Sequence, residues 1–96
     1  MAEYRITYWQ DIPCQVDASA GAERIRVPLG DRFQALIDAA AMRDGVVGTD
    51  AYLERWRVGP VIFRAGTARE VAEVVAAELE AQFDRIRTAA LGSGPP

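Results

Sequence analysis

The sequence predicts an α+β fold: a small two-layer sandwich, with two main helices on one face of a mainly antiparallel sheet of about four strands. Three observations carry this. Alternating polar and apolar residues recur in three runs before Gly30. A helical apolar stripe begins at Asp31, and a second, with its own capping signature, fills the C-terminal part. Between the stripes lies a short apolar run interrupted by Gly59-Pro60.

Taken in order, residues 4–9 alternate: Tyr4, Ile6 and Tyr8 fall on one face, Arg5, Thr7 and Trp9 on the other. β-branched and aromatic residues dominate, as a strand requires. Pro13 interrupts the pattern, because proline fixes its own φ and holds the preceding residue extended. Residues 14–18 alternate again, and Ser19-Ala20-Gly21 supplies a turn. In residues 23–29, Ile25, Val27 and Leu29 oppose Arg24 and Arg26, so the second and third runs read as a hairpin.

Asp31 with Gln34 matches a helix N-cap and capping box. Phe33, Leu36, Ile37, Ala40 and Ala41 form its apolar stripe, and Gly45 is placed to end it. Gly48-Thr49-Asp50 opens a short helical turn through Tyr52 and Leu53. Residues 56–65 read as a strand broken or bulged at Gly59-Pro60. Thr67 and Glu70 then form a capping box for one long helix. Its stripe is Val71, Val75, Leu79, Phe83 and Ile86, with Arg85 and Arg87 near a C-terminal end at Gly92. One domain over residues 1–92 is expected, followed by a disordered tail at 93–96.

Composition narrows the chemistry. The chain has no histidine and no lysine, its 11 positive charges are all arginine, and Cys14 is its single cysteine. The side chain that titrates near neutrality is therefore missing, as are the usual Schiff-base amine and the usual transition-metal ligands. No glycine pattern matches a dinucleotide fingerprint or a P-loop. No cofactor and no metal site is expected. A net charge of −3 opposes a phosphate-backbone binder, so nucleic acid is not an expected partner. No apolar run is long enough for a membrane span and none resembles a signal peptide, so a cytoplasmic, membrane-free protein is expected.

The remaining candidates are groups of recognition. Arg24-Ile25-Arg26 and Arg55-Trp56-Arg57 each place two guanidinium groups on one side of a strand, where they could grip a carboxylate or phosphate. Arg85-Ile86-Arg87 has the same form, but on a helix residues two apart do not face each other. Trp9, within the Tyr8-to-Pro13 stretch that includes Asp11, is either a core ring or an interface anchor. The candidate binding residues are thus Trp9, Asp11, Arg24, Arg26, Arg55, Trp56 and Arg57. No catalytic residue is assigned: Cys14 reads as a small buried hydrophobe, and the carboxylates as caps and solvated faces.

Three segments resemble a small bacterial family whose members carry the label "virulence factor" domain. They are Tyr4–Val16, Asp31–Met42 and Asp50–Trp56. The resemblance implies an accessory role beside folate- and corrinoid-dependent one-carbon transfer. It carries over no catalytic residues, and the family pattern favours alanine at the position of Cys14. Residues and resemblance together predict a non-enzymatic accessory module that binds another protein. The alternatives are a binder of, or minor enzyme acting on, a folate-like or other anionic small molecule, an accessory subunit in folate- or corrinoid-dependent one-carbon transfer, and a homodimer formed through a sheet edge or the long helix.

Overall fold

The first three strands form an antiparallel meander because each connection is only two residues long. The computed structural model describes residues 1–92. Strands β1 (Ala2–Trp9), β2 (Ile12–Ala20) and β3 (Glu23–Pro28) are joined at Gln10-Asp11 and Ala22 with Gly21. Gly21 takes φ +59, which a residue without Cβ adopts freely. Helices α1 (Asp31–Arg43) and α2 (Asp50–Glu54) follow, then short strands β4 (Trp56–Val58) and β5 (Ile62–Arg64). Helices α3 (Ala68–Ala81) and α4 (Phe83–Leu91) complete the order.

The sheet runs β3-β2-β1-β4, with β5 also paired to β1 and every pairing antiparallel. β4 and β5 act as one interrupted edge strand: Val58 pairs with Thr7 and Ile62 with Tyr4, so three residues span where β1 uses two. The break falls at Gly59-Pro60, as the sequence predicts. There Gly59 donates to the carbonyl of Ile6, and a Cβ on Gly59 would lie 3.0 Å from the Tyr8 ring. A second irregularity lies in β2, where Thr7 pairs with Gln15 but Tyr8 with Pro13, leaving Cys14 as the bulged residue.

α3 crosses β1, β2 and β3. Its Ala68, Val71, Ala72, Val75 and Ala76 are buried together with Ile6, Val16 and Ala18 of the sheet. α1 packs on β2 and α4, burying Phe33, Leu36, Ile37, Ala40 and Ala41. The expected α+β class, stripe and strand count are present.

Three local expectations are corrected. α1 has Gly30, not Asp31, as its N-cap: the cap residue has no side chain to bond the first turn, and Gln34 bonds Asp38 instead of closing a capping box. The carboxylate of Glu80 occupies the end, accepting from the Gly30 N–H at 2.6 Å. The expected single C-terminal helix is two, parted at Gln82. Arg32 meets the chain at this break: it donates to the Glu80 carbonyl at 2.7 Å and to its carboxylate, and lies 4.4 Å over the Phe83 ring. Arg85 and Arg87 therefore sit within α4 and not in its last turn. The Thr67–Glu70 capping box is formed as expected, with both reciprocal bonds. The tail expected at residues 93–96 lies outside the described residues.

Candidate functional site

The seven candidate residues fall in two separate places. Trp9, Asp11, Arg55, Trp56 and Arg57 gather at the β1–β2 turn, where they build structure. Trp9 is fully buried; its indole N–H donates to the Tyr52 carbonyl at 2.9 Å, and its ring lies 5.6 Å from the Tyr52 ring. Tyr52 in turn meets Trp56 edge-on at 6.2 Å. An exposed Trp9 anchor is thereby corrected: α2 closes over the ring, and an amphipathic side chain with its N–H satisfied inside belongs to the core.

The arginines beside it are also engaged. Arg55 donates to Asp44 at 2.8 Å and to the Gln10 side chain at 3.0 Å, and lies 5.4 Å over Trp9. Arg57 donates to the Gln10 carbonyl at 2.8 Å, contacts Asp11 at 3.3 Å, and lies 4.3 Å over Tyr8. Gln10 has φ +56, a conformation that costs a non-glycine residue about 1–2 kcal/mol. The two arginines and the Gln10 N–H bond to the Arg55 carbonyl hold it there. This fork clamps a turn. Asp44 sits below the usual carboxylate range because Arg43, then Arg55, hydrogen-bond its charged form.

Arg24 and Arg26 lie elsewhere, on the side of the meander opposite α3. Cross-strand partners share a side of a sheet, so the register assembles three rows. One is Phe63, Glu3, Ser19, Arg24; the next is Arg5, Asp17, Arg26; the third is Val58, Thr7, Gln15, Pro28. Side-chain bonds knit the rows: Arg26 to Asp17 at 2.6 Å, Gln15 to Asp17 at 3.0 Å, and Ser19 to Glu3 at 3.3 Å. Asp17 holds the Arg26 proton more firmly than usual, first by hydrogen bond and then by charge. A trough of about 660 Å³ runs over this face, lined by Glu3, Arg5, Asp17, Ser19, Arg24, Arg26 and Val58 among others. A smaller hollow of about 310 Å³ adjoins it, sharing Glu3, Ser19 and Arg24 and reaching Phe63.

Sequence reasoning places Arg24 and Arg26 but misses Arg5, Glu3, Asp17, Ser19 and Phe63. Alternation gives each its side of its own strand; only the register brings them together. Cys14 is half-buried on the bulge. Burial, and then Asp17, push its thiol above the ordinary range, which suppresses the reactive thiolate. Among the described residues no group of three or more His, Cys, Asp or Glu side chains could hold a metal ion. Among the same residues no helix is long and apolar enough to cross a membrane.

Fold and face together define a small α+β domain with a charged sheet face left open beside a helix-covered core. The family model described as "Virulence factor" matches residues 7–91, and the chain belongs to that family. The match runs well past Trp56, where the resemblance read from the sequence ends. No curated protein matches the chain, and no solved structure does.

Proposed function

We propose that the chain is a non-enzymatic, cytoplasmic accessory module of its family that works by binding another protein. The observation that carries this reading is the open sheet face. An antiparallel sheet with one face against its core can leave the other in water, but here that face is a trough edged by Val58 (58% exposed), with an adjoining hollow that reaches Phe63 (66% exposed). Exposed apolar groups beside arginine are the composition of interfaces. The one thiol is raised in pKa, and the arginine–tryptophan cluster, a set of recognition groups, is spent on the turn.

The test is capture from a native lysate with the immobilised chain, followed by mass measurement of the eluted complex. A stoichiometric partner is expected. A chain that elutes alone, and sediments as a monomer, contradicts the reading.

A second reading rests on the trough volume, which falls within the roughly 300–1,000 Å³ of small-molecule sites. A folate-like or other anionic ligand would place its carboxylates on the arginines, consistent with a role in one-carbon transfer. Thermal shift against folates, pterins and nucleotides separates the two; a flat response across that panel removes the ligand.

A further inference from the structure

We infer that the open face docks an acidic segment of a partner polypeptide, its carboxylates on Arg5 and Arg24 and its apolar side chains on Val58 and Phe63. This rests on the protein-binding reading and gives it a surface and a partner chemistry.

The first support is an imbalance of pairing. Arg26, Arg32, Arg43, Arg55, Arg57 and Arg64 each have a carboxylate partner. Arg5 and Arg24 are exposed and, among the described residues, have no such partner; the same holds for Arg69, Arg85 and Arg87 on the helices, so what sets these two apart is that they share one sheet face. Both lie on the walls of one trough. On this face three arginines stand against two carboxylates, Glu3 and Asp17, and Asp17 is already held by Arg26 and Gln15. The face thus has a surplus of positive charge on a chain whose net charge is −3. An anionic partner would be drawn to this face against the field of the rest of the chain.

Size then selects the kind of partner. Strands lie about 4.8 Å apart and same-face residues about 6.8 Å apart. Four strands and three rows therefore make a patch of about 14 × 14 Å, or about 200 Å² before side-chain relief. A stable association between two folded proteins takes about 800 Å² from each. A second copy meeting this face alone falls far short. One helix, about 10 Å across, or one extended segment covers it.

Charge pattern decides between polypeptide and nucleic acid. Glu3 and Asp17 lie in the middle strands of the patch. A nucleic-acid strand has a phosphate every few ångströms and would meet them directly. A peptide spaces its carboxylates and can set a hydroxyl or amide opposite each acid. The exposed Phe63 and Val58 on the β1–β4/β5 side, about three strand spacings from β3, give its apolar residues a seat beyond the reach of a small acid.

The experiment is a titration of the isotope-labelled full chain, followed by amide NMR, with a short synthetic peptide of Glu, Asp and Leu. Its Gln/Asn/Leu counterpart, citrate and a single-stranded RNA oligonucleotide are run in parallel. Saturable shifts are expected at Arg5, Asp17, Ser19, Arg24 and Phe63 with the acidic peptide. The double variant Arg5→Glu/Arg24→Glu is expected to weaken binding about tenfold, as loss of two exposed charge pairs plus new repulsion implies. Arg85→Glu/Arg87→Glu on α4 is expected to leave it unchanged. Unaltered thermal unfolding of both variants confirms that the fold is kept.

The inference is overturned if the acidic peptide shifts nothing, or if its shifts map to another surface. It is overturned equally if the neutral peptide binds as well, if citrate alone reproduces the shifts at the same concentration, or if the RNA binds more tightly. Should the peptide fail while the chain still captures a stoichiometric protein, this face is wrong and the interaction module stands. Should capture fail too, both readings fall.

Discussion

Trp9→Phe is expected to destabilise the domain by about 2 kcal/mol. The substitution keeps a ring but removes the indole N–H, leaving the Tyr52 carbonyl without its 2.9 Å donor. Loss of such a bond costs about 1 kcal/mol. It also removes volume on the order of 40 Å³ from a fully buried site, which at about 24 cal/mol per Å³ adds about 1 kcal/mol. For a domain of this size each kcal/mol moves the thermal midpoint by about 4–8 °C, so a fall of about 8–16 °C is expected. Urea unfolding reads the same change, with Trp56 as the remaining fluorescent tryptophan and far-ultraviolet dichroism as the second probe. Coincident transitions confirm two-state behaviour. A loss under about 0.5 kcal/mol, the ordinary range for surface substitutions, refutes the placement of this ring in the core. Truncation to alanine is expected to cost about 3–5 kcal/mol. It would therefore test folding, not recognition.

Three further outcomes follow from the same geometry. Thr67→Ala removes the side-chain half of the α3 capping box and is expected to cost about 1 kcal/mol, read as a lowered urea midpoint; no change contradicts the cap. Stability is expected to fall in acid. Asp44, Glu70 and Glu78 are all held below the ordinary carboxylate range, by Arg43 and Arg55, by the Thr67 N–H and hydroxyl, and by Arg64 respectively. Because these pKa values are lower in the folded state, their contribution is present above about pH 4 and lost as pH falls through the folded values. With no histidine, urea midpoints at pH 5.5 and 7 are expected to agree, and a steep change between them contradicts the assignment. Cys14 is expected to react with a disulfide reagent at pH 8 more slowly than free cysteine, since burial and Asp17 raise its pKa; an equal or faster rate contradicts this.

How far the sequence carries depends on the range of the physics involved. The strands, the Gly59-Pro60 break and the Thr67 cap were legible because each is set by neighbours within a few residues. The break at Gln82 was not, because no glycine or proline marks it, and the side chain that meets it, Arg32 on the Glu80 carbonyl, comes from another helix. The fork at Arg55 and Arg57 was visible as a pattern, but its use as a clamp on Gln10 needed the pairing of β1 with β4. The open face was half legible. Alternation assigned Arg24 and Arg26 to one side of β3, and Arg5 to one side of β1. Only the register of β1, β2 and β3 puts the three on a common wall.

The central claim, that this face is the working surface, is tested most directly by site-specific crosslinking in a native lysate. In a Cys14→Ser background, a photoreactive maleimide is attached through Ser19→Cys, on β2 between Glu3 and Arg24 of the face, or through Ala89→Cys, exposed on α4. The account predicts one stoichiometric adduct from Ser19→Cys, suppressed by Arg5→Glu/Arg24→Glu, and none from Ala89→Cys. The same adduct from Ala89→Cys, with none from Ser19→Cys, would contradict it.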